Sequence, residues 1–448
     1  AVFSLFNYLK GTFALAITKV GEEKIIGVKK GSPLVLGISD YGYFIGSDIP
    51  AFLNYTKNVV YIKDNEVIIA TKNNFKIYQV KENGEIEEVE KKIYVIDWDP
   101  DKVERGEFDH FMIKEILEQK DTIKLASIQE LSKIEKFCEA IKNSKKVFFV
   151  AAGSSYHASI CGTYLFSKIA NIASIPILAS EFPYYKNLID RDSLIIAISQ
   201  SGETYDVLEA VKIAKSRGAK VYSIVNVNGS TLTWESDEYL LMNVGPEIGV
   251  AATKTYTAEL VILLLLSYYL SNKFDEGKKR IEYLENIIYN LTAESSREEI
   301  KKIAKKLKNV EHVFFIGRGM LYPIVMEGAL KMKEISYIHA EAFAGGELKH
   351  GTLALIENGT PCIVLVDEET REEILSNAEE VKARGGIIIG VSPKRERIFD
   401  YWIKVPDCGY ENVICFVIPL QILAYYLAVL RGNNPDRPRN LAKSVTVK

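Results

Sequence analysis

One pattern recurs along this 448-residue chain and limits what it can fold into. Val147-Phe-Phe-Val-Ala-Ala-Gly153 returns as Val313-Phe-Phe-Ile-Gly-Arg-Gly319, 166 residues later. At the same spacing Gly202-Glu-Thr204 corresponds to Glu368-Glu-Thr370, and one residue later in register Arg217-Gly218 corresponds to Arg384-Gly385. Ordered matches at a nearly constant offset mark two copies of one supersecondary unit. Each copy reads as strand, Gly-containing turn, helix, strand, polar turn, helix, RG turn, strand. The runs 194–198 and 387–391 are apolar without interruption, which suits parallel strands covered on both faces. The chain therefore predicts an α/β protein with two doubly wound parallel sheets, over 125–290 and 291–435. In such sheets ligands bind beyond the carboxyl ends of the strands.

The flanks differ. Residues 1–98 carry short apolar or alternating runs at 13–18, 24–28, 34–36, 43–46, 59–62 and 67–70, punctuated by Gly, Pro, Asn and Asp. They predict a β-rich domain. Over 99–124 a linker helix is expected, with Asp99-Pro100-Asp101 as its capping start and Phe108, Phe111, Met112 and Glu115 at helical spacing. Residues 436–448 form a tail after a long apolar helix over 417–430.

Composition narrows the function. Lys plus Arg is 56 and Asp plus Glu is 59, a formal net charge of −3. That argues against a mainly electrostatic partnership with nucleic acid or an anionic membrane. The five cysteines form no CxxC pair, which argues against a disulfide framework or a zinc site and for a reducing, cytoplasmic compartment. The apolar run 260–266 is too short to span a bilayer, and no secretory signal opens the chain. The first residue is Ala1, so a processed product or fragment is expected. No metal and no cofactor is called for.

Four segments could carry chemistry. Ser199-Gln-Ser-Gly-Glu-Thr204 follows a buried strand and opens an amphipathic helix. Backbone N–H groups at a helix start, together with hydroxyls, make a phosphate site without Lys. With no GxxxxGK[ST] present, a small-molecule phosphomonoester suits it better than a triphosphate. The turn Gly153-Ser154-Ser155 offers further hydroxyls, whereas the second copy has Gly317-Arg-Gly319 and the acidic Asp367-Glu-Glu369. Only the first copy is therefore expected to hold phosphate. Glu327, Lys331 and Glu334 share one helix face; a surface ion-pair ladder is the usual meaning of that spacing, but the small and apolar neighbours favour a buried set with tuned proton affinity. His350 follows Gly345-Gly346 on a loop, and His339 reads as a satisfied structural histidine. Lys443, on a tail that could dock, could form a Schiff base.

On these residues the chain resembles the glucosamine-6-phosphate synthase family, the isomerizing glutamine–fructose-6-phosphate aminotransferases. The resemblance runs through Ser199–Thr204, Glu247-Ile-Gly-Val-Ala-Ala-Thr-Lys254, 327–350 and Pro438-Arg-Asn-Leu-Ala-Lys-Ser-Val-Thr-Val447. It implies two SIS (sugar isomerase) domains preceded by a partial Ntn-type glutaminase domain. It further implies that Ser199, Gln200, Ser201 and Thr204 hold the sugar phosphate, with Ser155 and the turn Val250-Ala251-Ala252 at the sugar. Ala252 stands where the family has a serine, so only backbone contacts carry over there. Lys443 would form the imine with fructose 6-phosphate. His350, lent by a neighbouring subunit of a homodimer, would open the ring. Glu334 would move the proton between C1 and C2, with Lys331 and Glu327 organising the site. Ammonia, from glutamine, would be the nitrogen donor.

The family's glutaminase begins with a cysteine, and this chain's first is Cys138. The expectation is that the chain alone does not hydrolyse glutamine. Two rival readings remain at this level. One is an ammonia-dependent SIS isomerase or deaminase. The other is a non-catalytic sugar-phosphate sensor, which would have no need of Glu334, His350 and Lys443 together.

Overall fold

The structure, a computed structural model, describes residues 2–81, 83–96 and 104–445. The expected capping segment Asp99-Pro100-Asp101 and the last three residues of the tail lie outside these. The N-terminal part is β-rich, as its short alternating runs predict. Its strands are β1 (Phe13–Thr18), β2 (Lys24–Lys30), β3 (Val35–Ser39), β4 (Gly42–Gly46), β5 (Asn58–Tyr61), β6 (Glu66–Thr71), β7 (Phe75–Val80), β8 (Ile86–Glu88) and β9 (Tyr94–Val95). They form two antiparallel sheets, β1-β2-β6-β7-β8 and β4-β3-β5-β9. Leu34, Leu36, Val60, Ile68 and Ile77 pack between them.

The repeat folds as two copies of one parallel sheet. Strands β10 (Lys146–Ala151), β11 (Ile175–Leu178), β12 (Ser193–Ser199), β13 (Lys220–Val225) and β14 (Glu238–Leu241) pair in the order β11-β10-β12-β13-β14. Strands β15 (His312–Gly317), β16 (His339–Ala344), β17 (Pro361–Leu365), β18 (Ile387–Ser392) and β19 (Tyr401–Lys404) pair as β16-β15-β17-β18-β19. The repeated Val-Phe-Phe segments are the matching strands β10 and β15. Every residue of β12 is buried, as expected of a strand with helices on both faces. In each sheet the order reverses beside that first strand, and the crevice at this reversal is where a doubly wound fold takes its ligand.

Helices weld the two copies together. Lys254–Leu270 and Val417–Leu430 are almost wholly buried, and their apolar side chains belong to one core that runs through both sheets. By length and composition the stretch Gly409–Leu430 could cross a membrane, but 89% of its most apolar window is buried inside the protein. The linker helix spans Phe111–Ser127. Its start is capped from far away: Asp436 of the tail accepts the N–H groups of Phe111 and Met112, each at 2.8 Å. A carboxylate at a helix N-terminus satisfies orphan donors and complements the dipole. Linker and tail thereby hold each other.

Candidate active site

Strand β12 delivers the hydroxyl-rich turn, which leads through Gln200 to Thr204 into the Tyr205–Ser216 helix. Ser199 Oγ lies 2.9 Å from Thr204 Oγ1 and accepts the Gly202 N–H at 3.1 Å. Ser201 Oγ accepts the Glu203 N–H at 3.1 Å. Gly202 is required: its φ is +66°, and a Cβ there would stand 2.0 Å from Ser230 Oγ. Glu203 anchors the turn, accepting the Thr231 N–H at 2.7 Å and its hydroxyl at 2.9 Å. In the second copy Asp367 does the capping, taking the Thr370 N–H at 2.9 Å and hydroxyl at 2.7 Å. A carboxylate therefore stands in the second copy where the first has the Ser201 hydroxyl.

The tail returns across this turn. Val250 N–H donates to Asp436 O at 3.1 Å, and Tyr205 N–H donates to Val445 O at 3.0 Å. Ser444 hydroxyl donates to Ser201 Oγ at 3.0 Å. Lys443 Nζ donates to Glu247 Oε2 at 2.6 Å and to the Gly249 carbonyl at 2.7 Å. Lys443, Ser444, Gln200, Ser201, Glu247 and Lys29 line a cavity of about 390 Å³ between the β12 turn and the N-terminal sheets. The tail amine therefore shares one space with Gln200 and Ser201 of the hydroxyl turn, while Ser199 and Thr204 do not line it.

Glu247 is buried and also accepts the Thr253 N–H at 2.8 Å and the Thr255 hydroxyl at 2.8 Å. Burial alone would push its carboxyl up; the Lys443 ammonium and these donors outweigh that and hold it well below the usual carboxylate range. Glu115, from the linker helix, accepts the N–H groups of Ile248 at 2.5 Å and Gly249 at 3.2 Å. Its other oxygen has no hydrogen-bond partner among the described residues. Burial, then the Glu247 charge, raises its carboxyl. Gly249 must lack a side chain, because a Cβ would meet Glu115 Oε2 at 2.9 Å. On the next turn Glu118 pairs with the buried Lys254 at 2.8 Å. The linker helix thus builds the seat on which Lys443 rests.

The second group is a charge cluster between the two copies. Lys331 Nζ lies 2.6 Å from Glu334 Oε2, 3.3 Å from Glu327 Oε1, and donates to Ser154 Oγ at 3.1 Å. Ser154 hydroxyl donates to Glu327 Oε1 at 2.9 Å, and His157 Nδ1 lies 2.8 Å from Glu327 Oε2. Glu327 and Lys331 have no exposed side-chain surface and Glu334 is 21% exposed, so this is no surface ladder. Burial works against both charges, yet Lys331 holds the Glu327 carboxyl low, and Glu327 with Glu334 holds the Lys331 amine protonated above its ordinary value. Next to Ser154, the Ser155 hydroxyl donates to Glu259 Oε1 at 2.7 Å. Burial pushes the Glu259 carboxyl far up. Glu247 is close enough for its charge to act on both Lys331 and Glu259, which ties this cluster to the Lys443 seat.

Not every expected residue joins. Among the described residues, Glu327, Lys331, Glu334 and His350 do not line the Lys443 cavity. His350 is exposed at the end of the 3-10 turn Gly345–His350. The Val250 N–H is already engaged by the tail, and Ala252 is half-buried beside it. His339, expected as a satisfied structural histidine, has one ring partner. It is exposed and lies 3.2 Å, Nδ1 to Nδ1, from His312, because it opens β16 at the sheet's edge.

Two segments, 140–268 and 306–431, match the SIS domain family model. With the paired sheets and the hydroxyl turn at a strand end, they define the class: a tandem SIS-domain protein. The chain is 45% identical to the glutamine–fructose-6-phosphate aminotransferase [isomerizing] of Thermococcus kodakarensis, covering 100% of this chain and 76% of that protein. It is 44% identical to the Pyrococcus horikoshii protein of the same name, over 98% of this chain and 74% of the relative. Among solved structures, the C-terminal domain of glucosamine-fructose-6-phosphate aminotransferase from Francisella tularensis aligns with TM-score 0.68 and 36% identity, covering 75% of this chain and 100% of that one. A glucosamine-6-phosphate deaminase from Thermotoga maritima aligns with TM-score 0.60 and 26% identity, over 75% of this chain and 99% of that one. The chain belongs to the isomerizing glutamine–fructose-6-phosphate aminotransferase family.

Proposed function

We propose that the chain converts fructose 6-phosphate and ammonia to glucosamine 6-phosphate and water. The single observation that carries this is the Lys443 amine in the same cavity as Gln200 and Ser201 of the hydroxyl turn, with Ser444 bonded to Ser201. On this reading Ser199, Gln200, Ser201 and Thr204, with the dipole of the following helix, hold the phosphate, and Ser155, Val250 and Ala252 flank the sugar. Lys443 attacks C2 of the open-chain ketose and water leaves. Glu247, in contact with the amine, holds it as an ion pair, so the amine attacks after it has lost its proton and left that pair. Ammonia then displaces the lysine at C2, freeing the amine. A proton moves from C1 to C2 by way of Glu334, which turns a ketose imine into an aldose amine. Lys331 and Glu327 fix Glu334, since the buried Glu327–Lys331 pair presents its ammonium to the Glu334 carboxylate at 2.6 Å.

His350 opens the sugar ring from a second copy of the chain, which makes the working unit a homodimer. Its exposure and its distance from the cavity lining in one chain support that assignment. The N-terminal sheets are the glutaminase-side domain, resting on the first SIS domain where Tyr61 hydroxyl donates to Asn228 O at 2.7 Å. Five unpaired cysteines support a cytoplasmic setting.

The test has two arms. Borohydride reduction with fructose 6-phosphate is expected to fix the sugar on Lys443, read by peptide mass, and Lys443→Met abolishes the adduct. Ammonium with fructose 6-phosphate is expected to yield glucosamine 6-phosphate. Tight sugar-phosphate binding with neither adduct nor product would replace this reading with a sensor.

A further inference from the structure

Outside the site, two cysteines that the sequence separates by a turn and a helix meet side by side. Cys408 lies in the loop after β19, and Cys415 ends the short Asn412–Cys415 helix. Their sulfurs are 3.4 Å apart, with the Cys415 thiol donating to Cys408. We propose that Cys408 and Cys415 form an oxidisable dithiol, a modification site that a hydroperoxide converts to an intramolecular disulfide.

The loop is built to hold the pair together. Asn412 Oδ1 accepts the Cys408 N–H at 2.7 Å. Asp407 Oδ1 accepts the Gly409 N–H at 2.9 Å and the Asn412 amide at 3.0 Å, while its other oxygen takes the Glu368 N–H at 2.8 Å. The Cys408 backbone is therefore fixed over the helix that carries Cys415. Access is unequal. Cys415 is wholly buried, whereas Cys408 is half-buried and lines an open groove of about 720 Å³ with Arg280, Tyr283, Pro406, Asp407 and Glu411. A molecule the size of a peroxide reaches Cys408 and not Cys415.

The same asymmetry orders the chemistry. The hydrogen bond from Cys415 holds the Cys408 thiol below its ordinary value against burial, and it keeps the proton on Cys415. Cys408 thiolate attacks one peroxide oxygen and the O–O bond breaks; the released hydroxide takes a proton and leaves as water. Cys408 is then a sulfenic acid. Cys415 sulfur attacks it, the S–S bond forms, the S–O bond breaks, and hydroxide departs with the Cys415 proton as a second water. Two thiols lose two hydrogens and two electrons, and one peroxide is reduced to two waters. The other cysteines, Cys138, Cys161 and Cys362, are buried, make no contact with a second cysteine sulfur among the described residues and have raised thiol values, so they stand as controls within the same chain.

The full chain is exposed to hydrogen peroxide, unfolded, alkylated with iodoacetamide and digested with trypsin. Both cysteines fall in the one peptide 405–431. That peptide is expected to lose two hydrogens, to carry no alkyl group, and to regain two alkylation sites after reduction, while Cys138, Cys161 and Cys362 are alkylated throughout. In Cys415→Ser, Cys408 is expected to stop at a dimedone-trappable sulfenic acid. Alkylation of both cysteines after peroxide, or over-oxidation of Cys408 beside an alkylated Cys415 in the unmutated chain, would overturn the proposal. Neither readout depends on catalytic activity.

Discussion

Replacing Lys331 by Met removes the one ammonium between Glu327 and Glu334 while keeping most of the side chain's volume, so the packing cost is small. What is left is electrostatic. Glu327, with no exposed surface, keeps Ser154 and His157 but loses its permanent cation. Breaking a buried ion pair by deleting one partner costs about 3–5 kcal/mol. Glu327→Gln together with Lys331→Met should recover part of that loss, a coupling of about 1–3 kcal/mol. The pH dependence gives a second, independent sign. In the unmutated chain the Glu327 carboxyl lies below its unfolded value, so its contribution is present above that value and is lost as pH falls through the folded one. The Lys331 amine lies above its unfolded value; its contribution is present below that value and is lost as pH rises through the folded one. Without Lys331, burial dominates and the Glu327 carboxyl is raised. Its protonated form is then favoured by folding, so the variant loses less stability at about pH 5 than at about pH 8. Chemical denaturation reads the total, and hydrogen exchange across the Tyr322–Ser336 helix reads the local term. A loss under about 1 kcal/mol that does not change with pH would refute the claim that this cluster is a buried, mutually dependent set.

Gly202→Ala forces a Cβ onto Ser230 at a positive φ, and should cost about 1–3 kcal/mol and weaken inorganic phosphate and fructose 6-phosphate binding together, measured by calorimetry. Glu115→Ala strips the acceptor from the Ile248 and Gly249 N–H groups and should slow borohydride trapping on Lys443 more than it weakens phosphate binding; Glu115→Gln, which keeps an acceptor oxygen, should retain more trapping. Asp436→Ala removes the distant cap of the linker helix and should cost about 0.5–2 kcal/mol, with faster hydrogen exchange at both Phe111–Ser127 and the tail. Mixing inactive His350→Ala and Lys443→Met chains should restore part of the activity if sites are shared between subunits, and a mixture as inactive as its parts would place His350 and Lys443 of one chain in the same site, against the shared-site reading.

How far each feature was legible depends on the range of the interaction that makes it. The two parallel sheets followed from a repeat and from uninterrupted apolar strands, because burial on both faces writes itself into consecutive residues. The hydroxyl-rich turn was legible as a strand-to-helix turn because strand, turn and helix start are contiguous in sequence. The Glu327–Lys331–Glu334 face was visible as spacing, but its burial depends on Ser154 and His157 from the other copy, which no local pattern carries. The edge position of His339 in its sheet was not legible, because it is not set by neighbours in sequence. Glu115 left a trace, as the one acid in the stripe Phe108, Phe111, Met112 and Glu115. A carboxylate on an apolar helix face needs buried donors, and here they are the N–H groups of Ile248 and Gly249.

That trace bears on how the Lys443 amine is held on a tail. Placed within a sheet, Lys443 would be fixed by the core; at the chain's end it is fixed only by what it touches. Those contacts come from separate stretches: Glu247 and Gly249 hold the amine, Ser201 holds Ser444, and Tyr205 holds Val445. The linker helix meets both sides, accepting its cap from Asp436 and lending Glu115 to the loop beneath Lys443. Ion pairs and hydrogen bonds at a partly exposed tail are individually worth about 1 kcal/mol, so no one of them secures it. Their sum does, and it is complete only when the linker, the 247–254 loop and the β12 turn are all in register. The geometry of the amine is therefore set jointly by the linker helix, the 247–254 loop and the tail.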